Sequence, residues 1–293
     1  MGRIEALILA SVAAIAGSQT VGGGARAADL LPPAPPIEEP LRGAIVEETG
    51  FYLRGDLGVA NANASNLQST YRDGQTVASL STIEGPASVG DPLLLGLGVG
   101  YKFNPWLRAD VTGEYRNSIN YRASSTYQWG DPSVSPCDPT SGVFCGDEYT
   151  GQIKTALFLA NGYIDVGTWG GFTPYVGGGV GFAAYQVSGL KDISLYPGAA
   201  FGFANNNNGT NFAWALTAGV AYRLSPNLLL DVGYRYVNMG TFNTGTIACN
   251  NQTQFSCHFE TQHFNVASND LRVGLRWMPA AVAYAEPPVR ARY

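Results

Sequence analysis

Charged residues are scarce in this chain. Asp, Glu, Lys and Arg together make up 13% of its 293 residues, about half the usual share of ~25% in a globular domain, and lysine is rare. The 17 Lys and Arg residues are scattered and the formal net charge is −5. This pattern excludes a nucleic-acid partner, because neutralising phosphates needs a concentrated basic footprint.

Long apolar runs are also missing. Beyond the N-terminal segment there is no block of ~20 apolar residues that could cross a bilayer as a helix, which excludes a polytopic helical membrane protein. Glycine (37 residues), tyrosine (16 residues) and asparagine are abundant instead. This composition suits many short strands joined by polar loops and leaves a soluble β-sandwich or a membrane β-barrel.

The N-terminus has the pattern of a secretory signal peptide over residues 1–27. Arg3 precedes an apolar stretch from Ala6 to Ala16, and small residues then lead to an A-x-A cleavage site that ends at Ala27. Cleavage there would export the mature chain into an oxidising space.

Two segments flank the folding unit, for which we predict residues 50–278. Residues 28–49 are rich in Pro and Glu and have no period, which predicts an extended periplasmic linker, and residues 279–293 form a similar C-terminal periplasmic tail. These tails could contact peptidoglycan or act only as spacers, and we favour spacers.

Period-2 alternation occurs eight times in the folding unit and predicts eight strands. In each strand apolar residues share one face, while small or charged residues share the other. In the fourth strand Lys154 differs in parity from Asn161 and Asp165, which predicts a β-bulge. The predicted strands are 51–59, 93–103, 107–116, about 153–166, about 175–185, 212–223, 228–236 and 271–277.

The connections between these strands alternate in length. The first, third, fifth and seventh have roughly 25 to 34 residues, whereas the others are tight, as at Asn104-Pro105 and Ser225-Pro226-Asn227. Up-and-down barrels of bacterial outer membranes have this asymmetry, with short periplasmic turns and long outer loops. The pattern therefore predicts an all-β, eight-stranded antiparallel up-and-down transmembrane β-barrel with four long outer loops.

The polar faces of the strands support a membrane barrel over a soluble one. They contain mainly Gly, Ala, Thr and a few charges, which suits a narrow lumen, while the charge-free apolar faces suit lipid. Aromatic residues near the strand ends predict the two interfacial girdles of such a barrel: Phe51, Phe103, Trp106, Tyr115, Phe212, Trp214, Tyr222, Tyr236 and Trp277.

Six segments of the chain have a familiar pattern: AADLLPP at the mature start, GFYLRGDLG (50–58), TPYVGGGVGFA (173–183), LLLDVGYRYVNMG (228–240), NDLRVGLRW (269–277) and the final VRARY. Together they resemble the alphaproteobacterial outer-membrane barrels of the RopB type, often called "porin family". These belong to the wider group that is similar to the OmpA membrane domain and the opacity proteins. The resemblance implies an eight-stranded barrel in the outer membrane of a Gram-negative cell, with structural and surface roles rather than catalysis.

The charges on the inward faces form a predicted lumen network. They could line a conduction path or fill the lumen as a plug of ion pairs, and we favour the plug because eight strands enclose little more than their own side chains. The predicted network consists of Arg54, Asp56, Lys102, Arg108, Asp110, Glu114, Arg116, Arg223, Asp231, Arg235, Arg272 and Arg276.

The four cysteines fall in two pairs, each within one long loop. Cys137 and Cys145 lie in the second loop and Cys249 and Cys257 in the fourth, which predicts two local disulfides in an oxidising compartment. A metal site that used the second pair with the nearby histidines would match no zinc spacing. We therefore expect no metal and no cofactor.

Catalysis is not expected either. The only histidines, His258 and His263, lie in or beside the fourth loop with no evident serine or carboxylate partner in the membrane strands. The loops are rich in Asn, Ser, Thr and Gly, so they could recognise host or phage surfaces or act only as a hydrophilic brush.

The final strand is the predicted signal for the barrel-assembly machinery, carried by Leu271, Val273, Gly274, Leu275 and Trp277. The other expected partners are outer-membrane lipid and lipopolysaccharide. The sequence thus predicts a structural or cell-surface barrel, with a low-conductance porin or a surface adhesin as alternatives.

Overall fold

The computed structural model describes residues 49–71, 88–89, 92–126, 146–194, 201–249 and 259–279. The predicted signal peptide, all but the last residue of the predicted linker, and the predicted tail after its first residue lie outside these ranges. No helix in the described ranges has the length and apolar composition to cross a bilayer. The strands are β1 (Gly50–Tyr71), β2 (Ser88–Val89), β3 (Leu93–Lys102), β4 (Leu107–Thr126), β5 (Gly146–Asp165), β6 (Phe172–Ser194), β7 (Phe201–Ala204), β8 (Asn207–Ser225), β9 (Leu228–Asn243), β10 (Ile247–Cys249) and β11 (Glu260–Trp277).

Eight of these strands close into one barrel. Each pairs antiparallel with its neighbours in the order β1, β3, β4, β5, β6, β8, β9 and β11, and β11 pairs back with β1 to close the ring. Consecutive long strands are always neighbours, so the topology is up-and-down. The eight-stranded antiparallel barrel predicted from alternation and connection lengths is confirmed.

The three short strands extend the wall at the end opposite the tight turns. β2 pairs with both β1 and β4, while β7 pairs with β6 and β10. β10 also contacts the start of β11. Parts of the predicted long loops are therefore continuous with the sheet.

Most strands are longer than the alternation predicted. β3 has 10 residues, but β1 has 22, β5 has 20 and β6 has 23, and the added residues lie on the outer side. The reason is a reversal of polarity along each strand. Beyond the membrane band the outward face becomes polar and the inward face apolar, so a segment such as NANASNLQSTY at the end of β1 looks like a loop.

The predicted change of face between Lys154 and Asp165 in β5 is wrong. Odd-numbered residues from Ile153 to Asp165 all point inward and are buried, and Lys154 is exposed on the outer wall. The prediction failed because Lys154 lies on the outward face beyond the membrane band, where polar side chains face water, so its parity differs from that of the inward Asn161 and Asp165 without a bulge. The irregular register in this strand pair occurs between Thr150 and Gln152.

Exposed apolar side chains form one continuous band around the outer wall. On β8 this band runs from Tyr222 to Phe212, and a ten-residue span of tilted strand covers roughly 25 Å along the barrel axis, which matches a bilayer's apolar core. Of the predicted girdle residues, Tyr236 is half-buried and the others are exposed on this wall.

Candidate functional site

The barrel's interior is filled by two layers of side chains that differ in chemistry. Nearer the periplasmic turns lies a charged layer with equal numbers of each sign, six arginines and six carboxylates, all buried. Ten of its members belong to the predicted lumen network, and Asp165 and Asp270 are additions. The charged layer consists of Arg54, Arg108, Arg116, Arg235, Arg272, Arg276, Asp56, Asp110, Glu114, Asp165, Asp231 and Asp270.

A quartet at the outer side of the charged layer joins opposite walls of the barrel. Arg235 on β9 contacts Glu114 on β4 at 2.6 Å and Asp270 on β11 at 2.7 Å. Arg116 on β4 contacts the same two carboxylates at 2.9 Å and 2.8 Å. Because β4 and β9 lie four positions apart in an eight-stranded ring, the Arg235–Glu114 pair crosses the full width of the lumen.

Arg54 organises the middle of the charged layer. Its guanidinium forms a two-point contact with Asp56, with N–O distances of 2.9 Å and 2.7 Å, and reaches Asp110 at 3.0 Å. Arg272 contacts Oδ2 of the same Asp56 carboxylate at 2.8 Å, and Asn161 donates to Asp110 at 2.8 Å. Such charge-assisted contacts compensate the loss of hydration in a narrow lumen.

Arg108 closes the layer near the periplasmic turns. It is fully buried, pairs with Asp165 at 3.0 Å and stacks on the rings of Tyr163 and Tyr175, 4.0 Å and 4.5 Å from their centroids. On the opposite wall Arg276 pairs with Asp231 at 3.3 Å. Planar guanidinium groups favour this combination of ion pair and aromatic stacking.

Two predicted network residues lie outside the buried layer. Lys102 and Arg223 are only half-buried, at the ends of β3 and β8 beside the turns. Sequence reasoning also missed two members. Asp270 has the parity of Arg272 but precedes the predicted start of the last strand. The alternation places Asp165 on the polar face together with Asn161, but the predicted network does not include it.

The second layer is aromatic and lies above the charged one, toward the outer end. Four rings from four different strands form a chain of contacts across the lumen, with two stacked pairs joined by a tilted contact between Phe242 and Phe264. These rings, Tyr121, Tyr185, Phe242 and Phe264, are the aromatic layer. Centroid distances are 4.0 Å between Tyr185 and Phe242, 6.2 Å between Phe242 and Phe264, and 4.9 Å between Phe264 and Tyr121. Buried aliphatic residues such as Leu157 surround the rings and complete an apolar core.

Little space remains between the side chains of the charged layer. A cavity there, bordered by Arg54, Asp231 and Arg272 among others, has a volume of about 10 Å³. That volume holds about one water molecule. The described interior is thus packed in the manner of a protein core.

Three carboxyl groups meet at the outer end, beyond the membrane band. Burial, together with the nearby carboxylate of Glu260, raises the pKa of Asp147 to about 6. Burial and the carboxylates of Asp147 and Glu260 raise the pKa of Asp192 to about 8. Since like charges repel across this space, the outer end favours protonated carboxyls.

The predicted assembly signal lies on β11, the strand that closes the ring. Trp277 is paired with Leu53 on β1 and with Leu228 on β9, and the four apolar and aromatic members alternate outward into the membrane band. Removing this strand would therefore break two strand pairings at once.

The remaining predicted sites are only partly visible. Cys137, Cys145, Cys257 and His258 lie outside the described residues, and Cys249 is described only as part of β10. His263 is partnered by Asn243, with Nδ1 2.8 Å from its side-chain oxygen. Within the described ranges no group of three or more His, Cys, Asp or Glu residues is arranged to hold a metal ion.

A closed antiparallel ring with an apolar outer band and a buried layer of charged side chains inside it defines a bacterial outer-membrane β-barrel, located in the cell outer membrane. The sequence model of the outer membrane protein β-barrel domain matches residues 42–267, and the chain belongs to that family.

Several proteins of similar sequence align with most of this chain. An uncharacterized protein of Brucella abortus is 31% identical over 242 residues, which cover 78% of this chain and 81% of the relative. The outer membrane protein PagN of Salmonella typhimurium is 24% identical, with 78% and 89% covered. A Rickettsia prowazekii protein named as an adhesin candidate is 24% identical, with 78% and 86% covered. The solved structure of OprG from Pseudomonas aeruginosa is 16% identical with a TM-score of 0.45, and 79% of this chain and 96% of that one are covered.

Proposed function

We propose that this protein is a closed, non-catalytic barrel that presents its projecting outer wall as an adhesive surface. The observation that carries the proposal is the reversal of polarity along the strands. In the membrane band the wall is apolar outside and charged inside, whereas beyond the band it is mainly polar outside and mainly apolar inside. The outer part therefore has the construction of a water-soluble barrel that stands on the membrane.

The two layers argue against conduction through the described interior. A solute would have to separate the Arg235–Glu114 pair, which spans the lumen at 2.6 Å, and then displace the stacked rings of Tyr185 and Phe242. Both steps would expose buried charge or break a packed apolar core. For this reason we rank the low-conductance porin below the surface role.

The projecting wall has a feature expected of a recognition surface. Ile193 on β6 and Phe201 on β7 are paired across the two strands and are about half exposed, as is Phe203 two residues further on. These three side chains, the outer apolar patch, lie beyond the membrane band. Exposed apolar patches in water mark contact sites for other molecules more often than chance, and the adhesin name of the Rickettsia relative agrees with this role.

The motifs given above support placement within the RopB-type subgroup, and we propose that subgroup together with insertion by the barrel-assembly machinery. A non-enzymatic role is supported by His263, because its ring is engaged by Asn243 rather than by a carboxylate or a nucleophile.

Two measurements test the proposed function. Purified protein in planar bilayers should give no stable single-channel steps, and reproducible steps would refute the closed lumen. Bacteria that display the protein should adhere to host cells better than bacteria without it, and the double variant Phe201→Ser/Phe203→Ser should lose that gain. The matched control is Phe212→Ser in the membrane band. Adhesion that is unchanged by the double variant would refute the role of the outer apolar patch.

A further inference from the structure

The outer wall carries a groove at the upper edge of the membrane band, independent of the surface role proposed above. The groove is an open depression with a volume of about 470 Å³, and it extends over β4, β5, β6 and β8. Its lining includes Tyr115, Lys154, Ala156, Ala184, Gln186 and Thr210. We call this depression the outer groove.

Strand register explains why the wall is hollow here. Tyr115, Ala156, Ala184 and Thr210 are paired in one row across the four strands, so two alanines and a threonine make a shallow floor beside one tyrosine. Behind this floor, Gly209 is required because a Cβ at that position would collide with the ring of Tyr185, which belongs to the aromatic layer.

The two rows that flank the floor differ in chemistry. The row toward the membrane holds Phe158, Phe182 and Phe212, all exposed, and the first two rings stack at 5.1 Å. The row on the outer side begins with Lys154, which is paired with Gln186, which in turn is paired with Asn208.

Lys154 is one of three lysines in the chain. It is exposed, and no described carboxylate contacts it. The groove thus offers aromatic surface on its membrane side and a cation with amide groups on its aqueous side.

We propose that the outer groove binds the phosphorylated glucosamine headgroup of an outer-leaflet glycolipid. The position of the groove relative to the membrane favours this ligand. The row of Phe158, Phe182 and Phe212 lies at the depth of the acyl chains, and Lys154 lies at the depth of the headgroups. The Lys154 ammonium donates to a phosphate oxygen. Gln186, Asn208 and Thr210 supply hydrogen-bonding groups for the sugar, and the acyl chain nearest the wall lies on the aromatic row.

Native mass spectrometry of the full chain in detergent, titrated with bisphosphorylated lipid A, tests the proposal. The wild type should retain one lipid A molecule. Lys154→Glu and Ala184→Trp, which remove the cation and fill the floor, should each lower the affinity about tenfold or more, because a hydrogen bond to a charged group is worth at least that factor. Lys191→Glu makes the same charge change on β6 outside the groove and should stay within about twofold of the wild type.

Binding measurements with three other ligands identify the source of the phosphate. Dephosphorylated lipid A and phosphatidylglycerol should each bind at least about tenfold more weakly than lipid A. Inorganic phosphate should not compete, and competition at equal concentration would overturn the lipid as occupant.

The proposal is also overturned if both groove variants bind as the wild type does, or if Lys191→Glu weakens binding equally. Heat-modifiable migration checks that each variant has folded. If Ala184→Trp fails that check, Thr210→Trp replaces it, because position 210 faces outward in the same row.

Discussion

Replacing Arg235 with alanine tests whether the charged layer holds the barrel together or merely occupies it. Arg235 is almost completely buried and donates three hydrogen bonds, two to Asp270 at 3.0 Å and 2.7 Å and one to Glu114 at 2.6 Å. Without it, two carboxylates share the single guanidinium of Arg116. Removing one partner from a buried ion pair costs about 3–5 kcal/mol, so we expect the free energy of unfolding to fall by that amount.

A second variant separates the cost of an unpaired charge from the net value of the network. Arg235→Met/Asp270→Leu removes one charge of each sign and leaves Arg116 paired with Glu114 at 2.9 Å. Replacing a buried ion pair with apolar side chains of similar volume is often close to neutral. We therefore expect the double variant to lose about 2 kcal/mol or less, well below the sum of the two single changes.

The assay is reversible urea unfolding of the refolded barrel in lipid vesicles, followed by tryptophan fluorescence. Arg223→Ala provides the matched control, because Arg223 is only half-buried beside a turn, and it should cost no more than about 1 kcal/mol. A loss below about 1 kcal/mol for Arg235→Ala would refute the structural role of the quartet. The same role would be refuted if the double variant lost as much free energy of unfolding as the two single changes added together.

Three further predictions concern the ends of the barrel. Because the folded state raises the pKa of Asp147 to about 6 and that of Asp192 to about 8, it binds more protons than the unfolded chain, and the outer end should lose stability as pH rises from about 4 to about 8. Limited proteolysis of the wild type should therefore be faster at about pH 8.5 than at about pH 5. Asp192→Asn should make this difference between the two pH values smaller, and an equal difference in the wild type and the variant would contradict the reasoning. Thiol titration of the denatured mature protein should find no free thiol if Cys137 pairs with Cys145 and Cys249 with Cys257, and free thiols would contradict that pairing. Truncation after Asp270 should abolish heat-modifiable migration, because β11 pairs with both β1 and β9, and unchanged migration would contradict the assignment of the assembly signal.

The sequence predicted the membrane band well because lipid imposes a strict alternation there. Leu271, Val273, Leu275 and Trp277 could face only lipid, so Arg272 and Arg276 had to face the lumen. The same logic placed ten of the twelve predicted charges inside the barrel. It failed in β5, because the charged Lys154 faces outward beyond the membrane band while the apolar Leu157 and Leu159 point inward.

The length and pairing of the strands could not be deduced in the same way. Outside the membrane band the rule is inverted, so polar segments such as the end of β1 continue as barrel wall although their composition is typical of loops. Residues of the aromatic layer are far apart in the chain, and no local pattern indicates that Tyr121 and Phe264 stack.

The sequence by itself determined the class of protein, the number of barrel strands and, on most of those strands, the face on which the membrane residues lie. These follow from a period of two and from the contrast between lipid and water, which are local properties of the chain. Only the tertiary structure decided that Arg235 reaches Glu114 across the lumen, that four rings cover the charged layer, and that two alanines open a groove beside Lys154. Those contacts depend on the register between strands and on the closure of the ring, which bring distant residues together. No single segment of the sequence specifies them.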